Sequence, residues 1–376
     1  MKRINKIIHT ITIRKIGKIF VINIFIVMLL LLILEGLSSI ILLLYSGINR
    51  KPVAEKIHTE YDEQIGWRNI PNLYIQDMYG KGKYLKTNSQ FFRNDKDFKM
   101  NVPEGKTRII CSGDSFTFGY GVDNDHTWCQ QLISIDSRLE TVNMGQGGYG
   151  IDQAYLWYKL NSSKLGHDIH IFTFITTDFH RMKSDSFLGY GKPVLSLKNN
   201  HLVVQNVPVP KPFFRLPYAS IETIRKLNIL RLLKKMWPRS FFDKHPPDSM
   251  EGNQIKAIIL KIFENLHQIN RSKNSKLVFV YLPMIDDYYW NISKPWREFL
   301  QIESNKNDWL FIDLIPAFRK LPPLKVTSLF IGKGELDYHF AEGHYNEKGN
   351  NFIAENLYER LLTIPEISDV LQSVAF

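Results

Sequence analysis

Thr107-Arg108-Ile109-Ile110-Cys111-Ser112-Gly113-Asp114-Ser115-Phe116 is a β-branched, apolar run that breaks abruptly at a Gly-Asp-Ser turn. The run reads as a short strand, since its residues suit a buried pleated surface and glycine and aspartate suit the turn that ends it. A helical pattern follows at Thr127–Ile135. Open α/β sheets place ligands at the carboxyl ends of their strands, which is where Ser115 falls. A helix N-terminus just beyond it can lend backbone N–H groups to a developing oxyanion. Gly-Asp-Ser is also ordinary turn chemistry, and these three residues alone do not separate the two readings.

Outward from this stretch the pattern repeats. Glu140–Met144 reads as a second strand, followed by a glycine-rich turn and a helix from Asp152 to about Leu160. Ile169–Ile175 is a continuously apolar third strand, so it is expected to be buried on both faces. Lys276–Leu282 and Trp309–Leu314 are a fourth and a fifth, and Glu347–Leu362 is a closing amphipathic helix. Apolar strands alternating with helices predict a parallel α/β sheet covered on both sides. Residues 180–252 break the alternation and read as an insertion. Val194–Leu197 and His201–Val204 flank Asn199-Asn200 as a hairpin, Pro208, Pro210, Pro212 and Pro217 follow, and Ala219–Trp237 reads as a basic amphipathic helix. The expected organisation is a basic segment 1–18, a membrane span 19–45, a linker and lead-in 46–104 and an α/β domain 105–376.

The 376 residues are 44% hydrophobic and 23% charged, ordinary for a folded protein, and carry a net charge of +11. Lys2, Arg3, Lys6, Arg14, Lys15 and Lys18 all precede the first acidic residue, Glu35, and the remaining excess is spread without a long basic run. That distribution argues against a nucleic-acid footprint and for membrane topology. Ile19–Tyr45 is long enough to span a hydrocarbon core of about 30 Å. With the cations ahead of it, the N-terminus is expected in the cytoplasm and the rest outside. The run exceeds the h-region of a cleaved signal peptide and leaves through Leu44-Tyr45-Ser46-Gly47, so an uncleaved anchor is expected. Ile4, Ile7, Ile8 and Ile11 are spaced for a helix lying on anionic headgroups, or belong to a basic tail. Glu35 is open to two readings: pairing with a partner helix, or a protonated position near the outer interface. The two cysteines, Cys111 and Cys129, read as buried residues that can bridge only if their Cα atoms come within about 7 Å.

A serine nucleophile needs a base arriving from another loop at the same sheet edge. His344, in Glu342-Gly343-His344-Tyr345-Asn346, follows the fifth strand and precedes the last helix, so it can reach Ser115. Taken in order, Gly113-Asp114-Ser115, Asn143-Met144-Gly145-Gln146-Gly147-Gly148 and His344-Tyr345-Asn346 resemble the motifs of an SGNH (GDSL-like) hydrolase of the membrane-anchored bacterial type, over roughly residues 105–362. The resemblance implies a flavodoxin-like three-layer α/β/α sandwich with a central parallel sheet, preceded here by one transmembrane helix. It implies Ser115 as nucleophile and His344 as general base, with an acidic residue just before the histidine to orient it. Glu342 stands two residues before it, and Asp337, seven before it, is the fallback. The oxyanion hole would use the N–H groups of Ser115 and Gly148 and a third donor. There the sequence departs from the family, which usually offers Gly-x-Asn-Asp after the third strand; this chain reads Thr176-Thr177-Asp178-Phe179, so Thr177 stands where the asparagine would be. A hydroxyl reaches less far than a carboxamide, and Asn143 or the insertion are other sources of a third donor.

Two further patterns point elsewhere. Gly145-Gln146-Gly147-Gly148-Tyr149-Gly150 matches the dinucleotide fingerprint, but the acidic residue at the right distance, Asp168, precedes the next strand instead of closing it. Asp337, His339 and His344 match no established metal spacing. No metal or organic cofactor is expected. Phe213, Phe214, Tyr288, Tyr289, Trp290 and Trp296 read as core residues or as platforms for sugar rings. The function expected is ester hydrolysis outside the cytoplasmic membrane, on O-acyl groups of envelope glycans or lipids. The alternatives are an O-acyltransferase and a catalytically weak envelope protein that binds an acylated glycan in the same cleft.

Overall fold

The computed structural model describes residues 2–48, 55–187, 190–210 and 250–372. These fall into two compact units, residues 2–48 and the remainder. The expected helix Ala219–Trp237, with Pro212, Pro217, Phe213 and Phe214, lies outside the described residues.

The first unit is one helix, Lys2–Ile48. Its stretch Lys18–Ile41 has a mean hydropathy of 2.8 and is long and apolar enough to cross a membrane. Leucine, isoleucine and phenylalanine side chains along this stretch are exposed, as a lipid-facing helix requires.

The second unit is built on a parallel sheet of β1 (Thr107–Ser112), β2 (Leu139–Asn143), β3 (Ile169–Phe174), β4 (Lys276–Tyr281) and β5 (Leu310–Asp313). The strand order is β2-β1-β3-β4-β5, every pair parallel. This is the flavodoxin-like doubly wound order, whose topological switch point lies between β1 and β3. All six residues of β1 and of β3 are buried, because alternate side chains feed two separate cores. On one face Ile110, Phe172, Phe174 and Phe279 pack against the helices Ile151–Asn161 and Met250–Ser272. On the other, Ile109, Ile171, Val278 and Val280 meet the helices Trp128–Ile135 and Glu347–Leu362. The result is the three-layer α/β/α sandwich expected from the alternation.

Residues 55–104 hold the end of the expected linker and the lead-in. They form two antiparallel strand pairs, Thr59–Asp62 with Gly66–Asn69 and Tyr74–Ile75 with Leu85–Lys86. Tyr79 and Leu85 join Phe118, Tyr120, Ile331, Tyr338 and Ala341 in a third, smaller core at the carboxyl edge of the sheet. The hairpin Val194–Lys198 with His201–Gln205 turns at Asn199 and Asn200, both with positive φ. Cys111 of β1 and Cys129 are disulfide-bonded, their Cα atoms 6.3 Å apart.

Candidate active site

β1 ends at Gly113, where a Cβ would collide with the hydroxyls of Thr117 and Thr173. Only glycine lets the chain turn this close to β3. Asp114 then caps the one-turn helix Ser115–Phe118, its carboxylate accepting the Phe116 N–H at 2.9 Å. The turn leaves Ser115 at the carboxyl edge of the sheet, next to the switch point.

His344 arrives from the loop ahead of the helix Glu347–Leu362. Its Nε2 lies 2.8 Å from Ser115 Oγ. The loop is fixed by the Ile331 N–H on the His344 carbonyl at 2.9 Å and by the Tyr345 hydroxyl, which donates to the Pro283 carbonyl. The imidazole rests on Phe116 at 4.5 Å between ring centroids and meets Tyr120 edge-on at 5.3 Å. Burial, reinforced by the charge of Arg181, lowers its pKa to about 4, against the carbonyls of Ala341 and Glu342, which pull it up. The ring is therefore neutral at ordinary pH and able to accept a proton.

The acidic residues proposed from sequence do not reach this ring. Glu342 accepts the Gly334 N–H at 3.1 Å and lies 3.5 Å from His339 Nδ1. Glu342 closes the 3₁₀ turn His339–Ala341, its N–H donating to the His339 carbonyl. Asp337 is exposed on the same loop. His344 Nδ1 is buried without a hydrogen-bond partner. His339, facing Glu342, and His344, facing Ser115, do not converge with Asp337 on one point.

The remaining site residues have distinct placements. Gly148 has φ +75°, and a Cβ there would strike the ring of Phe187. Its neighbour Gly147 gives its carbonyl to the Trp67 indole N–H at 2.8 Å. Thr177 lies in the short helix Thr176–Arg181, its hydroxyl buried and without a hydrogen-bond partner. Asn143 is committed to structure: its amide donates to the Thr117 carbonyl at 2.9 Å and its oxygen accepts the Gly145 N–H at 3.0 Å. Asp168 accepts the Arg108 N–H at 2.8 Å, at the start of β1 and so at the far end of the strand from the glycine-rich turn. Trp296 is core, stacked on Phe179 at 4.3 Å, while Trp290 is 75% exposed.

Sequence reasoning overlooked three residues that shape this site. Arg181 bridges Asp114 and Asp178 at 3.1 and 2.7 Å. Arg93, wholly buried, donates to the carbonyls of Phe118, Gly119 and Val122, holding the end of the nucleophile helix. His58 sits with its Nε2 3.3 Å from the hydroxyls of both Tyr120 and Tyr338. Burial, with the Arg93 charge, lowers the His58 pKa to about 3. The i, i+3 spacing of Asp178 and Arg181 was a sequence signal that could have exposed Arg181.

No protein-family model and no curated protein matches the chain. Solved structures similar to it include a member of the lipolytic protein G-D-S-L family from Veillonella parvula DSM 2008, at 14% identity over 67% of this chain and 97% of that one, with a TM-score of 0.37. A lipase/acylhydrolase from Enterococcus faecalis is 12% identical over 68% of this chain and 95% of its own, TM-score 0.34. The acetyl xylan esterase AlAXEase is 14% identical over 67% and 98%, TM-score 0.38. In strand order, strand direction and the helices on both faces of its sheet, the chain has the flavodoxin-like three-layer α/β/α fold that the resemblance implied.

Proposed function

We propose that the protein is a serine ester hydrolase anchored in the cytoplasmic membrane with its α/β/α unit outside. The observation that carries this reading is the 2.8 Å contact between His344 Nε2 and Ser115 Oγ at the carboxyl edge of the sheet. In the first step Ser115 Oγ bonds to the acyl carbon, its proton passes to His344 Nε2, and the carbonyl π pair moves onto oxygen. The Ser115 and Gly148 N–H groups receive that oxyanion, with the Thr177 hydroxyl as a third donor. Collapse expels the alcohol, which takes the proton from His344. Water then attacks the acyl-enzyme, giving its proton to the same nitrogen, and the second collapse releases the carboxylic acid and returns the proton to Ser115.

The pair works as a dyad in this reading, since Glu342 and Asp337 lie away from His344 Nδ1. No carboxylate among the described residues meets the imidazolium here; the nearby backbone carbonyls of Ala341 and Glu342 favour its charged form. The apolar stretch Lys18–Ile41, preceded by cations, supports the anchor and the orientation. The Cys111–Cys129 disulfide agrees with an oxidising compartment. The substrate class we infer, from the resemblance to anchored relatives, is an O-acylated envelope glycan.

The test is labelling of the detergent-solubilised full chain with a fluorophosphonate, beside its Ser115→Ala variant. Labelling of the wild type alone is expected. Equal labelling of both, or none where a control esterase reacts, would overturn the assignment in favour of a binding protein. Turnover of a small acetyl ester in water, with and without an added sugar alcohol as acceptor, separates hydrolase from acyltransferase.

A further inference from the structure

Ser115 has two acceptors for its single proton. His344 Nε2 stands at 2.8 Å and the Asp114 carboxylate, through Oδ2, at 3.4 Å. Only the first arrangement prepares the oxygen for attack, because the proton must leave toward the base that later returns it. An unneutralised carboxylate beside the hydroxyl would compete for it.

Arg181 Nη1 donates to that same Asp114 Oδ2 at 3.1 Å. It also donates to Asp178 Oδ1 at 2.7 Å and to the Tyr149 carbonyl at 2.8 Å. The guanidinium lies over the Phe187 ring, 5.1 Å from its centroid, and Phe187 in turn lies against Gly148. The residue is clamped from behind as well. Lys192, itself buried, donates to the Arg181 carbonyl at 2.8 Å and to Asp152 at 2.7 Å, closing a second ion pair. The charged groups around the guanidinium are thus Asp114 from the nucleophile turn and Asp178 from its own helix. His344 faces the turn from the opposite loop, and the Lys192–Asp152 pair stands behind.

We propose that Arg181 is a positioning residue that draws the Asp114 carboxylate away from the Ser115 hydroxyl and so directs the serine proton to His344. The inference rests on the dyad reading above and adds to it. It also accounts for the charge balance of this corner: two buried carboxylates share one guanidinium, and burial pushes both carboxyls up while Arg181 pulls them down. Fixed positive charge there also disfavours a second positive charge on His344.

The experiment compares Arg181→Met and Arg181→Lys with the wild type, as full chains in detergent, with acetyl ester turnover as one readout. Arg181→Met should lower kcat by about 100-fold with KM within about threefold, as a misdirected nucleophile does. Arg181→Lys, which keeps the charge, should recover part of that loss. Adding Asp114→Asn to Arg181→Met removes the competing carboxylate, leaves a side chain that still caps the helix, and should raise kcat again. A merely structural role for Arg181 would instead make the double variant worse than the single one, and that result would overturn the proposal.

The second readout is independent of turnover: the His344 imidazole followed by NMR in ¹⁵N-histidine protein, assigned with His344→Gln. Its titration midpoint should rise by about one unit in Arg181→Met and stay low in Arg181→Lys. An unmoved midpoint in a folded Arg181→Met protein would also overturn the proposal. If even the wild type shows no turnover, the hydrolase reading falls while this measurement still decides the placement of Arg181.

Discussion

Trp67 donates its indole N–H to the carbonyl of Gly147 at 2.8 Å, and the Tyr149 hydroxyl donates back to the Trp67 carbonyl. A residue ahead of the first sheet strand therefore brackets Gly148 on both sides. The same segment reaches the site twice more. Arg93 holds the carbonyls that end the nucleophile helix, and Asn94 accepts the Asn143 N–H at 2.9 Å. Glycine loops lose much conformational entropy when ordered, so a loop carrying four glycines between Asn143 and Ile151 needs such braces to present its N–H groups. Residues 55–104 act as the outer wall of the site.

Trp67→Phe tests that bracing. The ring still fills the pocket between Tyr149, Phe187 and Tyr190, but the Gly147 carbonyl loses its donor. Stability should fall by about 1 kcal/mol in denaturant titration, the net worth of one buried hydrogen bond. Ester turnover should fall more steeply, by about tenfold, with KM little changed, because the bond orients the oxyanion loop more than it holds the fold.

Gly148→Ala should be more severe. Its φ of +75° is strained for any other residue except asparagine or aspartate, and the new Cβ would strike the Phe187 ring. Displacing this N–H removes one oxyanion donor, for which a loss of about 10²–10³ in kcat is expected. Phe187→Ala in the same chain relieves the collision but not the backbone strain. The double variant should therefore recover activity only in part, as steady-state kinetics with a small acetyl ester will read.

The sheet was legible because its strands are short, β-branched or aromatic and bounded by turn residues, where a buried helix would run on for about ten residues or more. Each of the five strands lies within a residue or two of where the pattern put it, and the helix Glu347–Leu362 has its expected bounds. Ser115 and His344 were legible as a pair because both follow strands at one edge of a parallel sheet. Glu342 could not be judged the same way. Which way a side chain points from a loop depends on the turn beneath it, and the 3₁₀ turn His339–Ala341 has no distinctive sequence signature. Arg93, His58 and Arg181 escaped notice for a different reason. Their partners are backbone carbonyls, tyrosine hydroxyls and, for Arg181, the distant Asp114, which no local spacing records; only Asp178, three residues before Arg181, lies within reach of a local pattern. Met250–Ser272 is a 23-residue helix with Ile255, Ile259, Ile262 and Leu266 on its buried side, a period that was readable and was overlooked.

The pH dependence has a definite sign. A base must be neutral to accept the Ser115 proton, and His344 keeps that form down to a pKa of about 4. The acid limb of kcat/KM should lie well below the usual histidine range, with activity undiminished at pH 6. Stability moves with it. His344 and His58 both bind protons more weakly folded than unfolded, so their contribution is full above the ordinary pKa of 6.5. It is lost as pH falls below 6.5, down to about 4 for His344 and about 3 for His58. Chemical denaturation at pH 7 and pH 5 should show the protein weaker at pH 5.

Reduction of the Cys111–Cys129 bridge should destabilise the chain without removing the dyad. The bridge ties β1, just ahead of the nucleophile turn, to the helix Trp128–Ile135 across 18 residues. Closing a loop of that size contributes about 3 kcal/mol, chiefly by restricting the unfolded chain. Cys111→Ala with Cys129→Ala should lower the denaturation midpoint accordingly, while fluorophosphonate labelling of Ser115 in the folded protein persists.

Glu342→Gln separates a dyad from a triad. In a triad the carboxylate fixes the imidazole tautomer and stabilises the imidazolium, and its amide counterpart loses about 10⁴ in kcat. Here the Glu342 carboxylate is turned to the Gly334 N–H, which with neighbouring cations lowers its pKa, and the His344 ring is held by packing against Phe116 and Tyr120. Glu342→Gln and Asp337→Asn should each leave kcat/KM within about threefold of the wild type, since neither removes a group touching the ring. A loss approaching that of a true triad acid in Glu342→Gln would mean that the loop carrying it swings the carboxylate onto Nδ1 during the reaction. The buried, unpartnered Nδ1 is the atom that such a swing would satisfy, so this single substitution decides between a histidine held by ring packing and one completed by its own loop.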